Sequence, residues 1–457
     1  MLNKLPAVKQ AELIRTGQAS VSEVLEAHIE SIDQSEQLIN AFVTLDVEGS
    51  RKKAIELDNQ KTKHHPEQPL YGLPVGIKDH NQVAGLPCTF GSLAFQDYIP
   101  DFDAAHVSNI RQAGAIILGK TNMPEFGHGR YGGQTDNLLC GLTRNPWNTE
   151  KTASSSSGGA AAALAANFVS LADGSDIAGS IRGPAGWCGL YGLRPTSGVV
   201  PAWPKVDPLD GTSVIGPMAR TIDDLALLFA AMRGPHHAPL YETPEHFNSE
   251  SFDPSNLRIA WCMNPGGSNT CDAVMDTLSP LKTMLIESGA KVTETEPDLA
   301  GLHQAQAILR RFGLLVNHEK MILEHEDLIS PEIRKALERA QALSKVEIVD
   351  AIRVRDQAVH TITSFFTDYD LMIWPTSTQL PFDAEAKEIH EDWTPIELTP
   401  VLQLPALSVP VAMTPDSMPC GVQFIGPKRS DLKLIELAKI LEPEIGFVGR
   451  YSAMEMD

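Results

Sequence analysis

The sequence predicts an α/β protein, on three observations. Short apolar runs punctuated by Gly and Pro recur from Leu70 to about Gly234 and again near the C-terminus, the texture of buried strands ending in loops. Amphipathic runs at helical spacing lie before, between and after them. The two textures mix along the whole length instead of separating into blocks. At 457 residues, 42% hydrophobic and 21% charged, the chain can bury a sizeable core in one large domain or two to three small ones.

The elements follow in order. Residues 1 to about 60 read as a helical segment packing on the rest: Ser20-Val21-Ser22-Glu23 has capping-box spacing, and Val24, Leu25, His28, Ile29 and Ile32 recur on one helical face. Gly72 to Lys78 and Ala115 to Gly119 read as buried strands. The segment 235–256, PHHAPLYETPEHFNSESFDPSN, is a polar, turn-rich excursion. Leu257 to Trp261 restarts a strand, 273–366 is mostly helical in pattern, and Asp370 to Pro375 is an apolar run stopped by proline. Leu407 to Val411 and Gly421 to Gly426 read as strands, followed by a helix from Leu432 to Leu441.

Charge and cysteines exclude several functions. With 37 Lys and Arg against 58 Asp and Glu the formal charge is -21, so a basic nucleic-acid footprint is not expected, and the same sign disfavours anionic lipid. The six cysteines form no C-x-x-C pair, which points to reduced thiols. No apolar leader opens the sequence, and the longest apolar stretch, Ala160 to Val169, is well short of the roughly 20 residues a bilayer span needs. A cytoplasmic protein without a membrane span is expected.

Three motifs mislead. Gly114 to Thr121 fits G-x-x-x-x-G-K-T, yet the residues between the glycines are strand-like and Asn-Met-Pro follows, so a phosphate cradle is not expected. Ser430-Asp431-Leu432-Lys433 matches S-x-x-K without S-D-N or K-T-G and reads as a helix start. His318-Glu319 and His325-Glu326 lack zinc-ligand spacing and read as a solvated helix. His128 and Arg130, in a Gly-rich loop, are open between pocket lining and turn chemistry.

The most unusual segment is Ser154-Ser155-Ser156-Ser157-Gly158-Gly159 opening onto Ala160 to Ala166. Its bland reading is a flexible linker; its functional reading is a helix N-terminus where N–H groups and hydroxyls cluster. Downstream, Ala178-Gly179-Ser180 offers small residues whose backbone N–H groups can approach a substrate oxygen, with a hydroxyl at the same place.

With these segments the chain resembles the amidase signature family, serine hydrolases that cleave carboxamides with a Ser-Ser-Lys triad. The ordered matches run from Gly72-Leu73-Pro74-Val75-Gly76-Ile77-Lys78-Asp79 through Gly119 to Phe126, Asn145 to Asn148 and the Ser/Gly cluster. They continue through Gly189 to Gly198, Gly216 to Thr221, Leu404 to Ala406 and Gly421 to Gly426. The resemblance implies a large mixed β-sheet core covered on both faces by α-helices, with residues 61–457 as one catalytic domain. It implies hydrolysis of a small-molecule amide to the acid and ammonia or an amine through an acyl-enzyme, with no cofactor and no metal. By position it makes Ser180 the nucleophile, Ser156 the bridging serine after a cis peptide, and Lys78 the base. The backbone N–H groups of Ile177, Ala178, Gly179 and Ser180 become the oxyanion hole, with Ser157, Asp176 and Arg182 in support. The plain alternative for Asp176 and Arg182 is a surface ion pair.

The chemistry fits these roles. A lysine removes a serine proton only when neutral, which needs burial to lower its pKa from about 10.4. A bridging hydroxyl donates and accepts, so it can pass a proton both ways. The chain departs from the family at Ser154-Ser155, where Gly-Gly is usual, and at Ala178, where glycine is common. The resemblance leaves open the amidase subunit of a tRNA-dependent amidotransferase, against which Gly183 speaks because those subunits read S-I-R-Q-P. It also leaves open a catalytically inactive scaffold and a homodimer. Pocket residues are expected near 123–134, 201–210, 304–317 and 374–404.

Overall fold

A computed structural model of the chain describes residues 2–60, 67–129, 132–204, 211–233, 254–389 and 392–447. The polar excursion at 235–256 lies almost entirely outside the described residues, as do Arg130 and residues 205–210.

Thirteen strands are described: β1 Phe42–Leu45, β2 Pro74–Lys78, β3 Ile116–Thr121, β4 Arg144–Asn145, β5 Asn148–Thr152, β6 Leu171–Asp176, β7 Tyr191–Arg194, β8 Val214–Ala219, β9 Arg258–Trp261, β10 Lys291–Glu294, β11 Leu371–Pro375, β12 Ala406–Met413 and β13 Pro419–Ile425. Eleven form one sheet in the order β1-β3-β2-β6-β8-β7-β12-β13-β11-β9-β10, and β4 and β5 make a separate hairpin. The sheet is mixed. β3, β2 and β6 run parallel at one side and β11, β9 and β10 at the other, while the pairs from β6 through β11 are antiparallel.

Every residue of β2, β3, β8, β11 and β13 is buried. Because successive side chains point to opposite faces, such strands need cover on both, which explains why the sequence shows continuous apolar runs here instead of alternation. Helices supply that cover, among them Gly158–Ala165 against β2 and β6, Ile222–Met232 against β8, and Asp431–Ile445 against β12. The expected α/β architecture with a large mixed sheet is the one present.

The N-terminal helices are Ala7–Arg15, Val21–Ile39 and Val47–Asp58. Ser20 accepts from the Glu23 N–H, and the Glu23 carboxylate accepts from the Ser20 N–H at 2.7 Å, completing the expected capping box. The segment is not purely helical, because β1 joins the sheet beside β3. Likewise β10 interrupts the expected helical stretch: Lys-Val-Thr-Glu is a mostly exposed edge strand with no apolar run to announce it.

The P-loop match runs into β3, with Gly114 and Ala115 just before the strand. Lys120 is fully buried and donates to the carbonyls of Asp79 at 3.3 Å and Pro87 at 3.1 Å, so its charge is used inside the fold. Ser430 stands at the start of the helix Asp431–Ile445, as its sequence suggests. No helix of the described residues is long and apolar enough to cross a membrane.

Candidate active site

The adjacent parallel strands β2 and β6 end side by side, Lys78 closing the first and Asp176 the second. Ligands of parallel sheets gather beyond such C-terminal ends. Two loops arrive there, 153–157 leading into the helix Gly158–Ala165 and 177–181 leading into the helix Arg182–Cys188. The Ser157 N–H donates to the Ser180 carbonyl at 3.2 Å and ties the loops together. The serine cluster is therefore a helix entry, and the linker reading is excluded.

Lys78 is fully buried, and its Nζ reaches Ser156 Oγ at 2.6 Å, Ser157 Oγ at 2.8 Å and Ser175 Oγ at 3.0 Å. Burial lowers its pKa from 10.5 to about 7, against an upward pull from Asp173 and Asp176. Three hydroxyls around one nitrogen suit a neutral amine, which has two N–H donors and a lone pair to accept from the third. Ser180 is buried but makes no hydrogen bond through its Oγ within the described residues. The Ser155-Ser156 peptide is cis, as the resemblance implies.

Asp176 and Arg182 are both fully buried, so the surface-pair alternative falls. The guanidinium grips the carboxylate at both ends, Nε to Oδ2 at 2.9 Å and Nη2 to Oδ1 at 3.0 Å. Burial pushes the Asp176 carboxyl up, but Arg182 and then Arg194 override it and hold it at about 2. Asp176 also engages one of the N–H groups expected in the oxyanion hole. Its Oδ1 already accepts the Gly179 N–H at 2.9 Å, leaving Ile177, Ala178 and Ser180 of the four expected donors. Gly179 has φ +93°, and a Cβ there would press into Ile396, so this position needs glycine; Ala178 does not take a positive φ and keeps its methyl without strain.

Sequence reasoning missed the layer beneath Lys78. Buried Asp173 accepts from the Lys78 N–H at 2.6 Å and from Asn81 Nδ2 at 2.6 Å, and contacts His106 Nε2 at 2.8 Å. The only signal available was Asp173-Gly174-Ser175-Asp176 itself, polar residues in a strand that is otherwise buried.

Two cavities meet at this point. The larger, of about 300 Å³, is lined by Ser156, Ser175 and Ile177 and by Phe90, Phe126 and Leu314. The smaller, of about 100 Å³, is lined by Ser155, Ala178, Ser180, Trp393 and Ile396. Gly127, His128 and Arg310 line both. His128 thus lines the pocket; burial, with Arg310 and His318 nearby, lowers its pKa to about 3. His318 departs from the solvated-helix expectation. It lies on the helix Leu302–Glu324, but its ring packs 5.0 Å from that of Phe126 and faces the larger cavity. Among the described residues no group of three or more His, Cys, Asp or Glu is placed to hold a metal ion.

The family model described as Amidase matches residues 23–435. An acylamidase of Rhodococcus erythropolis is 33% identical over 96% of this chain and 95% of its own length. One of the subunits of the glutamyl-tRNA(Gln) amidotransferase of Geobacillus kaustophilus is 31% identical over 94% of this chain and 95% of its own. The crystal structure of a bacterial aryl acylamidase of the amidase signature family superposes with a TM-score of 0.89 at 25% identity, over 98% of each chain.

Proposed function

The chain belongs to the amidase family and is an amide-hydrolysing enzyme, and we propose that it cleaves its amide through an acyl-enzyme on Ser180, with Ser156 as proton relay and Lys78 as base. The observation that carries this reading is the Lys78 amine, fully buried, held at about 7 and 2.6 Å from Ser156 Oγ. An amine so placed is substantially neutral near pH 7 and can take a proton through the Ser156 hydroxyl.

In this scheme the Ser180 side chain turns onto Ser156 as substrate enters. Its Oγ bonds to the carbonyl carbon while its proton passes to Ser156 Oγ and that of Ser156 to Lys78 Nζ. The developing oxyanion meets the N–H groups of Ile177, Ala178 and Ser180, held in place by the Asp176–Arg182 pair beneath them. The relay then runs backwards: the leaving nitrogen takes a proton from Ser156, which regains one from Lys78. Water releases the acid by repeating the cycle on the ester. Asp173 positions the backbone of Lys78 and leaves the proton path to the hydroxyls.

The aromatic rings of Phe90 and Phe126 in the larger cavity, and the likeness to acylamidases, favour an acyl amide with an aryl or other apolar body. A second reading, glutamine hydrolysis within an amidotransferase, draws support from the Geobacillus relative. Against it, a Cβ at Gly183 would come within 3.1 Å of Ser154 Oγ, so the glutamine usual in those enzymes does not fit beside this serine without moving it. The test is amine and ammonia release from aryl, aliphatic and amino-acid amides, glutamine included, by wild type and by Ser180→Ala, Ser156→Ala and Lys78→Ala. Activity lost in all three with circular dichroism unchanged supports the scheme; wild-type rates in Ser180→Ala remove it.

A further inference from the structure

The helix Leu302–Glu324 turns one face to the cavities. Gln306 Nε2 donates to the Ile177 carbonyl at 3.0 Å, and Arg310, Gly313, Leu314, Asn317 and Met321, at helical spacing from it, all line the larger cavity. Arg310 is the only charged side chain among the described lining residues of either cavity, and it lines both, sharing one with Ser156 and the other with Ser180. In a chain with 58 acidic residues, no carboxylate lines either cavity among those residues.

Arg310 is also unlike the other arginines of the site. Arg182 is saturated by Asp176, Thr399, Gln423 and the Ile396 carbonyl, and Arg194 gives both terminal nitrogens to the carbonyls of Asp176, Thr212, Gly211 and Pro400. Arg310 makes no hydrogen bond within the described residues. Among the described residues its one ionic neighbour is Glu397 at 3.5 Å, beyond a good hydrogen bond, and Glu397 also faces His303 at 3.3 Å. A guanidinium carries five N–H donors in a fork that matches a carboxylate, and here the fork is open toward the substrate space. Its side chain is one-third exposed, 33%, so it is reachable without being fully solvated.

We infer that Arg310 reads a carboxylate on the substrate, so that the amides this site takes carry an anionic group beside the scissile bond. The inference rests on the reading of these cavities as the substrate site of Ser180. It makes Arg310 a specificity-determining residue: amides bearing an ammonium group are rejected, and neutral ones forgo the charge-assisted pair.

The test uses probes without an amide, so that its result does not depend on Ser180. Benzoate and phenylpropanoate are titrated calorimetrically against wild type beside benzyl alcohol and phenylpropanol, which share their bodies without the charge. Wild type is expected to prefer the acids about tenfold or more. Arg310→Gln lowers that preference by about 10-fold to 100-fold, the range for hydrogen bonds to charged groups. Glu397→Gln, which frees the guanidinium, raises it. If Arg310 is only a strut against Glu397, both variants shift the preference the same way, and that result overturns the inference, as does equal binding of acids and alcohols to wild type. Should Arg310→Gln fail to fold, Glu397→Gln decides alone: a raised preference supports the inference and an unchanged or lowered one overturns it. Amide turnover that survives Ser180→Ala would remove the nucleophile while leaving this comparison readable.

Discussion

Replacing Lys78 by methionine should abolish activity and change how stability depends on pH. Burial brings the ammonium of Lys78 from 10.5 to about 7, a preference for the neutral amine on the order of 5 kcal/mol at 1.36 kcal/mol per pKa unit. The sign follows from proton counting. Between about pH 7 and 10.5 the unfolded lysine is protonated and the folded one is not, so unfolding takes up a proton and wild-type stability rises with pH. Methionine keeps a similar volume and removes this term. It also strips a partner from Ser156, Ser157 and Ser175, at about 1 kcal/mol or more for each hydroxyl left unpaired. Near pH 7 the two effects offset within a few kcal/mol, so the informative quantity is the slope. From pH 7.5 to 9.5, urea unfolding of wild type should gain about 2.6 kcal/mol relative to Lys78→Met. Parallel pH dependence of the two proteins would mean that Lys78 is charged in the folded state, which would refute its role as base.

Other outcomes follow from the same geometry. The rate constant kcat/KM should rise through about pH 7 as Lys78 loses its proton and becomes competent, and a profile falling through that range would contradict the assignment. Asp176→Asn breaks a fully buried pair and leaves Arg182 partly unpaired, so denaturation should show a loss of about 3–5 kcal/mol; a loss under about 1 would show that the pair holds nothing. Ser154 sits at φ +65° with its buried hydroxyl unpartnered among the described residues, so Ser154→Gly should stabilise the fold by about 1 kcal/mol or more, measured as an unfolding midpoint shifted upward.

The site was legible in the sequence where chemistry and backbone need coincide. Ser154 to Gly159 combines hydroxyls with residues small enough to enter a helix against β2 and β6, and Lys78 ends an apolar run that admits a lysine only if it has work to do. Buried strands were visible because both of their faces are covered, which writes an unbroken apolar run. β10 was not, since Lys-Val-Thr-Glu at the sheet edge shows no such run, and β1, Phe-Val-Thr-Leu, is apolar but only four residues long between helical patterns. Asp173, Asn81 and His106 meet from separate segments, a juxtaposition that no local pattern records. The same holds for His318, whose helix looks solvated in one dimension and is packed on Phe126 in three. The use of the Gly179 N–H by Asp176 depends on a turn geometry that sequence spacing leaves open.

The central claim is that Ser180 carries the acyl group. Acid-quenched wild type taken during turnover of a hydrolysed amide, digested and read by mass spectrometry, should show the acyl mass on the peptide containing Ser180, and Ser180→Ala should show none. An adduct on Ser156, or steady amide hydrolysis by Ser180→Ala, would contradict the account.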